Sequence, residues 1–316
     1  MSGSERQPQS ARTVGKSLVR WLDSWAEDES DVIHDAREMD WLRVVPFVLL
    51  HASCLLVLVV GWSWTAVGLA AGAYVVRMFA ITAFYHRYFS HRTFQTSRWM
   101  QFLFAVLGST AIQRGPIWWA SHHRAHHKNS DKVDDVHSPS RDGFWWSHMG
   151  WILSRRNFRP RFEMVSDLTR FPELRFLDRF DVIVPILSLG GFYLLGELCQ
   201  SLGADTSGGQ LVVWGFCIST IVTYHVTFSI NSVAHRMGTR SYETADDSRN
   251  NPLLALLTLG EGWHNNHHRY PASVRQGFRW WELDMSYYGL RLLAALGLIW
   301  RLSPVPERIL NESRVL

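Results

Sequence analysis

Cysteine is scarce in this chain: there are three in 316 residues, Cys54, Cys199 and Cys217, all in apolar stretches and none in a CxxC pair. That excludes a disulfide framework and a thiolate metal site, and leaves the three thiols as small apolar packing groups. The sequence also lacks a GxGxxG fingerprint between a strand and a helix, a haem domain of the cytochrome b5 kind and a ferredoxin cysteine set, so a nucleotide, haem or iron–sulfur electron carrier is not expected within it. No early apolar core with a cleavage site is present. The first forty residues are polar and end in the acidic run Glu27 to Asp40, which is expected to keep the N-terminus cytoplasmic. Basic residues outnumber acidic ones by 32 to 28, with a pI of about 9.1, but they are not gathered into a nucleic-acid-binding module.

Tryptophan and histidine are abundant instead, at 16 and 15 residues. Trp favours membrane interfaces, and His is the commonest metal ligand near neutral pH. A mean hydropathy of -0.07 is too low for a chain made only of membrane spans and suits one that is half membrane, half water-exposed. Four segments are apolar for the roughly 20 residues a bilayer crossing takes: about 44–61 and 65–84, joined by a turn with Trp62, Ser63 and Trp64, and about 182–199 and 211–230, joined by the Gly- and Ser-rich stretch 200–210. Neither short turn holds Lys or Arg, whereas the stretch from Arg87 to Arg179 carries many, among them Arg155, Arg156, Arg159 and Arg161. The positive-inside rule puts that stretch and both termini in the cytoplasm. The expected architecture is therefore an all-α integral membrane protein with four transmembrane helices in two hairpins and a cytosolic helical cap holding a di-metal site. It divides into a polar segment 1–40, a membrane domain 41–301 with cytosolic regions 85–181 and 231–301, and a tail 302–316. Trp99 to Ile112 is a further apolar stretch, read as a helix at the interface or packed under the cytosolic part, with a re-entrant segment as the alternative.

The histidines fall into groups: His86 and His91 in HRYFSH, His123, His126 and His127 in HRAHH, His264, His267 and His268 in HNNHH, and His235 alone in NSVAH. Residues four apart share a helix face, so His123 with His127, and His264 with His268, can each hold one ion, while His126 and His267 point off that face toward a second. Clustered imidazoles without cysteine favour iron, zinc or copper over magnesium or calcium. The first two groups follow the second span and the others the fourth, so an even number of crossings returns all of them to one membrane face. His34 and the membrane-embedded His51 and His225 lack ligand spacing and read as packing residues. His122, His137 and His148 read as supporting or surface residues.

HxxxxH, HxxHH and HxxHH with four spans and NSxxH just past the fourth resemble the membrane-bound fatty acyl desaturases of the acyl-CoA delta-9 type, here without a fused cytochrome b5 domain. The words GPIWWASHHRAHH, DVHSPSRDGFWWSHMGW and LGEGWHNNHHRYP match as well, and the likeness covers roughly Trp41 to Arg301. The resemblance implies two iron ions held by nine histidines and, through water, Asn231. His126, His235, His264, His268 and Asn231 would surround one iron, and His86, His91, His123, His127 and His267 the other. It further implies Asp135 and Glu261, with Asp131 beside them, as carboxylates orienting the ligands, and Gln113, Trp119, Thr227 and Phe228 as walls of an acyl tunnel at its bend. The chemistry implied is O2-dependent formation of a cis double bond in a saturated acyl chain. Animal acyl-CoA desaturases carry Arg-Asp where this chain has Ser121 and His122, and a small polar residue where Arg114 follows Gln113. Acyl-CoA is the first choice of substrate, with an acyl lipid or acyl carrier protein as the alternatives. A separate donor such as a ferredoxin or cytochrome would dock on the basic cytosolic surface, and a bacterial inner membrane is the expected location. The rival readings are another di-iron oxygenase such as a hydroxylase and, from a different class, a histidine-rich metal transporter. The latter would place its ligands within the spans.

Overall fold

The computed structural model describes residues 19–26 and 37–312, and every structural statement here concerns those residues. His34 lies outside them. The main helices in chain order are α1 (Trp41–Val60), α2 (Trp64–Ser90), α3 (Arg98–Ser109), α4 (Pro116–Asn129) and α5 (Pro172–Arg179). They continue with α6 (Ile183–Ser201), α7 (Gly208–Ser232), α8 (Pro252–Leu257), α9 (His264–Arg269) and α10 (Met285–Ala295). Four of them, α1, α2, α6 and α7, are long and apolar enough to cross a membrane. Three of these four start on a side-chain cap: Asp40 accepts from Leu42 N, Ser63 from Ala66 N and Ser207 from Gln210 N. Such caps satisfy amides that the first turn leaves unpaired.

The two tight turns meet at one end of the bundle. Ser63 Oγ donates to Gln210 Oε1 at 2.9 Å, Gln210 Nε2 to Val60 O at 2.9 Å and Trp214 Nε1 to Gly61 O at 3.0 Å. Arg77, inside α2, is buried, and its Nη1 is held by α7 through Gly215 O at 3.2 Å, Thr220 Oγ1 at 2.9 Å and Ser219 Oγ. A cation at this depth needs such partners, and it clamps the two hairpins together.

The helix α2 differs from its sequence expectation by continuing past Phe84 to Ser90, so that it carries His86 out of the apolar region and ends on His91. From Ala80 to Ser90 it is wound as a π-helix, and His91 N donates to His86 O at 3.2 Å. The stretch from Trp99 becomes the 12-residue α3, too short to span. It buries Phe104 and Ala105 against α2, with Phe84 and Phe104 stacked at 3.8 Å, and leaves Trp99 exposed. A small antiparallel pair that the all-α reading did not foresee, Gln95–Thr96 with Ile299–Trp300, ties the chain after the first histidine pair to the chain after α10.

Candidate metal centre

All four histidine groups converge at the end of the bundle opposite the tight turns. The nitrogens of His86, His91, His123, His127 and His267 lie within 4.8 Å of one another, and so do those of His126, His235, His264 and His268. Their histidines are those of the two ligand sets implied by the resemblance; Asn231, implied beside His235, is not among them. Each element presents its histidines for a local reason. An α-helix would put His86 and His91, five residues apart, about 140° apart around its axis. The π-winding of α2 brings them to one side instead, with ring centroids 4.9 Å apart, a local departure of the kind that recurs at functional sites. The helices α4 and α9 carry the two HxxHH triplets, and His235 follows the end of α7.

Behind these rings stands a layer of carboxylates. His126 Nδ1 meets Asp135 at 3.1 Å, His235 Nδ1 meets Asp131 at 2.9 Å, His268 Nδ1 meets Asp246 at 2.6 Å and His86 Nδ1 meets Glu261. Each carboxylate accepts the Nδ1 proton, so the lone pair sits on Nε2 and faces the centre of its set. Glu261 is held in turn by Arg87, at 3.3 Å, and Arg87 also pairs with Asp284 at 3.0 Å. The backbone after Glu261 runs tight against α8: a Cβ at Gly262 would lie 2.0 Å from Ala255 N.

Burial pushes His91, His123, His127, His264 and His267 well below the ordinary imidazole value, helped by the neighbouring rings, and burial takes His268 down to about 4 against the pull of Asp246. These six imidazoles are thus neutral donors at neutral pH, whereas His126 is pushed up against its burial by the carboxylates of Asp135, Asp131 and Asp246. Burial alone would raise Asp131, Asp135 and Asp246, yet their histidine partners hold all three well below the usual carboxylate range.

The donor set fits a pair of metal ions. His267 Nε2 lies 3.0 Å from His86 Nε2 and 2.9 Å from His127 Nε2. A neutral imidazole has one proton, so His267 cannot donate to both. His268 Nε2 is buried without a hydrogen-bond partner, which costs about 1–3 kcal/mol unless a cation takes the lone pair. Converging neutral nitrogens backed by carboxylates are what borderline divalent metals require.

The remaining residues singled out in the sequence line a string of cavities. One cavity holds His86, His123, His126, His264, Asn231 and Glu261 with Trp119 and Thr227. It shares Trp119, His123, Thr227 and Asn231 with a second cavity that adds Gln113 and Phe228. Gln113 is fixed there by donating to Thr227 Oγ1 at 3.1 Å and accepting from Trp119 Nε1 at 3.5 Å. It sits between Ile112 (φ 59) and Arg114 (φ 70). The β-branched Ile112 is strained in that region, and the Tyr224 hydroxyl, donating to Ile112 O at 2.6 Å, helps to hold it.

His51, His225 and His148 stand apart from both sets and satisfy one another. His51 Nε2 lies 3.0 Å from His225 Nε2, and His225 Nδ1 lies 2.9 Å from His148 Nε2. His122 donates to Arg159 O at 3.0 Å, and His137 lies 3.7 Å from the carboxylate of Asp135. Sequence reasoning missed Asp246 and Gln276. Gln276 Nε2 stands 3.2 Å from His86 Nδ1 and 3.2 Å from Glu261. Both residues lie in loops without periodicity, and only the chain's path brings them to the rings.

The family model for fatty acid desaturases matches residues 42–300. The chain belongs to the fatty acid desaturase family. This desaturase is 37% identical over 266 residues to an sn-1 stearoyl-lipid 9-desaturase of Anabaena variabilis, covering 83% of this chain and 93% of the relative. It is 35% identical over 284 residues to an acyl-CoA 5-desaturase of Anemone leveillei, covering 89% and 81%. It is also 42% identical over 240 residues to a probable chloroplastic lipid desaturase of Arabidopsis thaliana, covering 75% of this chain and 63% of that longer protein. The four apolar helices and the family together make this desaturase a membrane oxidoreductase of lipid metabolism.

Proposed function

We propose that this desaturase holds two iron ions and introduces a cis double bond, at the delta-9 position, into a saturated acyl chain on the cytoplasmic face of the membrane. The observation that supports this best is the pair of buried to half-buried, carboxylate-backed histidine sets walling one end of the cavity string. The delta-9 position follows the family resemblance and the Anabaena relative; the Anemone relative is named for another position. The balanced reaction consumes one saturated –CH2–CH2– unit, O2, two electrons and two protons, and gives –CH=CH– and two waters.

His86, His91, His123, His127 and His267 would hold one iron, and His126, His235, His264 and His268 the other, with Asn231 reaching the second set through water. Bound iron supplies the O2-derived oxidant that an unactivated methylene requires and that no side chain can provide. The protein's own part is placement. Gln113, Trp119 and Thr227 form a rigid, hydrogen-bonded wall beside the histidines, and a chain confined against it presents one methylene pair to the centre. The carboxylates Asp131, Asp135, Asp246 and Glu261 fix the tautomer of their histidines. The electrons come from a separate protein donor, a ferredoxin or cytochrome.

Expression in a host lacking its own desaturase, with double-bond localisation by mass spectrometry and metal analysis of the purified protein, tests the reading. The expected result is a cis delta-9 product and about two irons per chain. Oxygenated product without an olefin would favour a hydroxylase instead, and metal uptake into vesicles without O2 consumption a transporter.

A further inference from the structure

A third cavity, of about 400 Å3, continues the string outward. It shares Ile152 and Phe228 with the cavity that holds Gln113, so the Phe228 ring stands between the two. Its walls are Pro46 and Leu50 of α1, Pro185 and Ile186 of α6, and Phe216 and Tyr224 of α7. Ile186 is 63% exposed, so the chamber opens sideways between α1 and α6. On α1 the lining runs from Leu42 to Leu50. At 1.5 Å per residue that is about 12 Å of depth, within the roughly 15 Å hydrocarbon half of a bilayer. The opening therefore faces the interior of one leaflet, the one on the histidine side.

The rim is built for an anion. Arg20, Arg43 and Arg114 surround the Phe158 ring at 4.5, 4.4 and 4.6 Å from its centroid, and Arg43 and Arg114 line the chamber itself. Arg20 pairs with Asp40 at 3.1 Å and Arg114 with Asp181 at 3.0 Å. Among the described residues Arg43 has no carboxylate of its own. It donates to Ser24 Oγ at 3.1 Å, and its Nε is buried without a hydrogen-bond partner. Among the described residues these three guanidiniums face two carboxylates, which leaves one positive charge over. Beside it the exposed Leu22, Trp21 and Trp41 give a greasy margin, which suits lipid tails and glycerol. The several phosphate charges of a CoA nucleotide would call for more cations than this one.

We infer that the acyl chain is taken while esterified to an anionic phospholipid: it slides from the leaflet between α1 and α6, passes Phe228 toward the histidines, and leaves its phosphate at Arg43. This rests on the proposed desaturation, and it chooses an acyl lipid over acyl-CoA and acyl carrier protein as the substrate form.

The test uses the full chain in a desaturase-deficient host whose phosphatidylglycerol has been labelled with both a deuterated saturated acyl chain and a 13C-glycerol backbone, after which new fatty-acid synthesis is stopped. Induction should yield unsaturated phosphatidylglycerol that keeps both labels together. Arg43→Gln and Ile186→Trp should each lower that conversion at least tenfold at matched protein level, and Arg43→Lys should restore much of it. Unsaturated chains appearing only in acyl-CoA, or in lipids whose acyl and glycerol labels have separated, would overturn the inference and leave the desaturase reading intact. Native mass spectrometry of the purified protein gives an arm independent of turnover, in which phosphatidylglycerol should be retained by the wild type and lost in Arg43→Gln. Retention without any unsaturated product would support the lipid site and sink the desaturation reading; equal retention in wild type and Arg43→Gln would overturn the anionic rim.

Discussion

Asp246→Asn isolates what the carboxylate layer contributes. Asp246 uses both oxygens: Oδ2 takes the His268 Nδ1 proton at 2.6 Å, and Oδ1 takes Ser248 N–H at 3.1 Å. An asparagine has one oxygen for these two donors. If it serves Ser248, its NH2 faces His268 Nδ1 and drives the imidazole into the tautomer with the proton on Nε2, which cannot bind a metal. If it serves His268, a charge-assisted bond of about 1.5–3 kcal/mol becomes a neutral one of about 0.5–1.5 kcal/mol. Either route weakens the site holding His126, His235, His264 and His268, and removal of such a partner commonly costs about 10–100-fold in metal affinity or activity. The assay is iron content after equilibration with graded chelator, read beside desaturation of the same preparation. Asp142→Asn, at the half-buried end of a 3.5 Å pair with the exposed Arg37, is the control. About half of the iron should leave Asp246→Asn at a chelator level at least tenfold below that for wild type, while the control stays unchanged. An identical chelator profile for Asp246→Asn and wild type would refute the orienting role.

Three further outcomes are expected. His123→Ala removes a nitrogen common to one histidine set and the cavity wall, and should abolish unsaturated product in lipid analysis while the protein still fractionates with membranes. His225→Leu leaves both the half-buried His51 Nε2 and the buried His148 Nε2 without their partner; at about 1–3 kcal/mol for an unsatisfied buried group the melting temperature should fall by several degrees, with activity per folded molecule largely kept, and loss of product without loss of stability would contradict the packing role. Asp178 is pushed up to about 6 from an ordinary 3.8, chiefly by burial, against the hydrogen bonds it accepts from Trp118 N and Trp25 Nε1. The folded state thus holds more protons than the unfolded one across that range, so stability falls as pH rises from about 4 to 6; thermal melts across this window should show the slope in wild type and a flatter profile in Asp178→Asn.

Where a signal is local, the sequence carried it. The four spans follow from runs of apolar residues whose backbone must bond to itself in lipid, and the structure gives helices at all four. The pairings His123 with His127 and His264 with His268 follow from helical periodicity and need nothing beyond their own turn. The sequence also placed three of the four carboxylates beside the histidine motifs, because Asp131, Asp135 and Glu261 lie within a few residues of them. Tertiary structure decided the rest. His86 and His91 share a side only because packing winds the end of α2 as a π-helix, and no α-helical spacing rule reaches them. His235 meets His264 across 29 positions, Arg87 meets Asp284 across 197, and Asp246 comes to His268 from an irregular loop. The surplus charge at Arg43 arises because residues near 20, 43, 114 and 158 share one place. Sequence patterns report which face a residue takes within its own element; which elements then face one another depends on burying those faces together, and that is settled only when the whole chain packs.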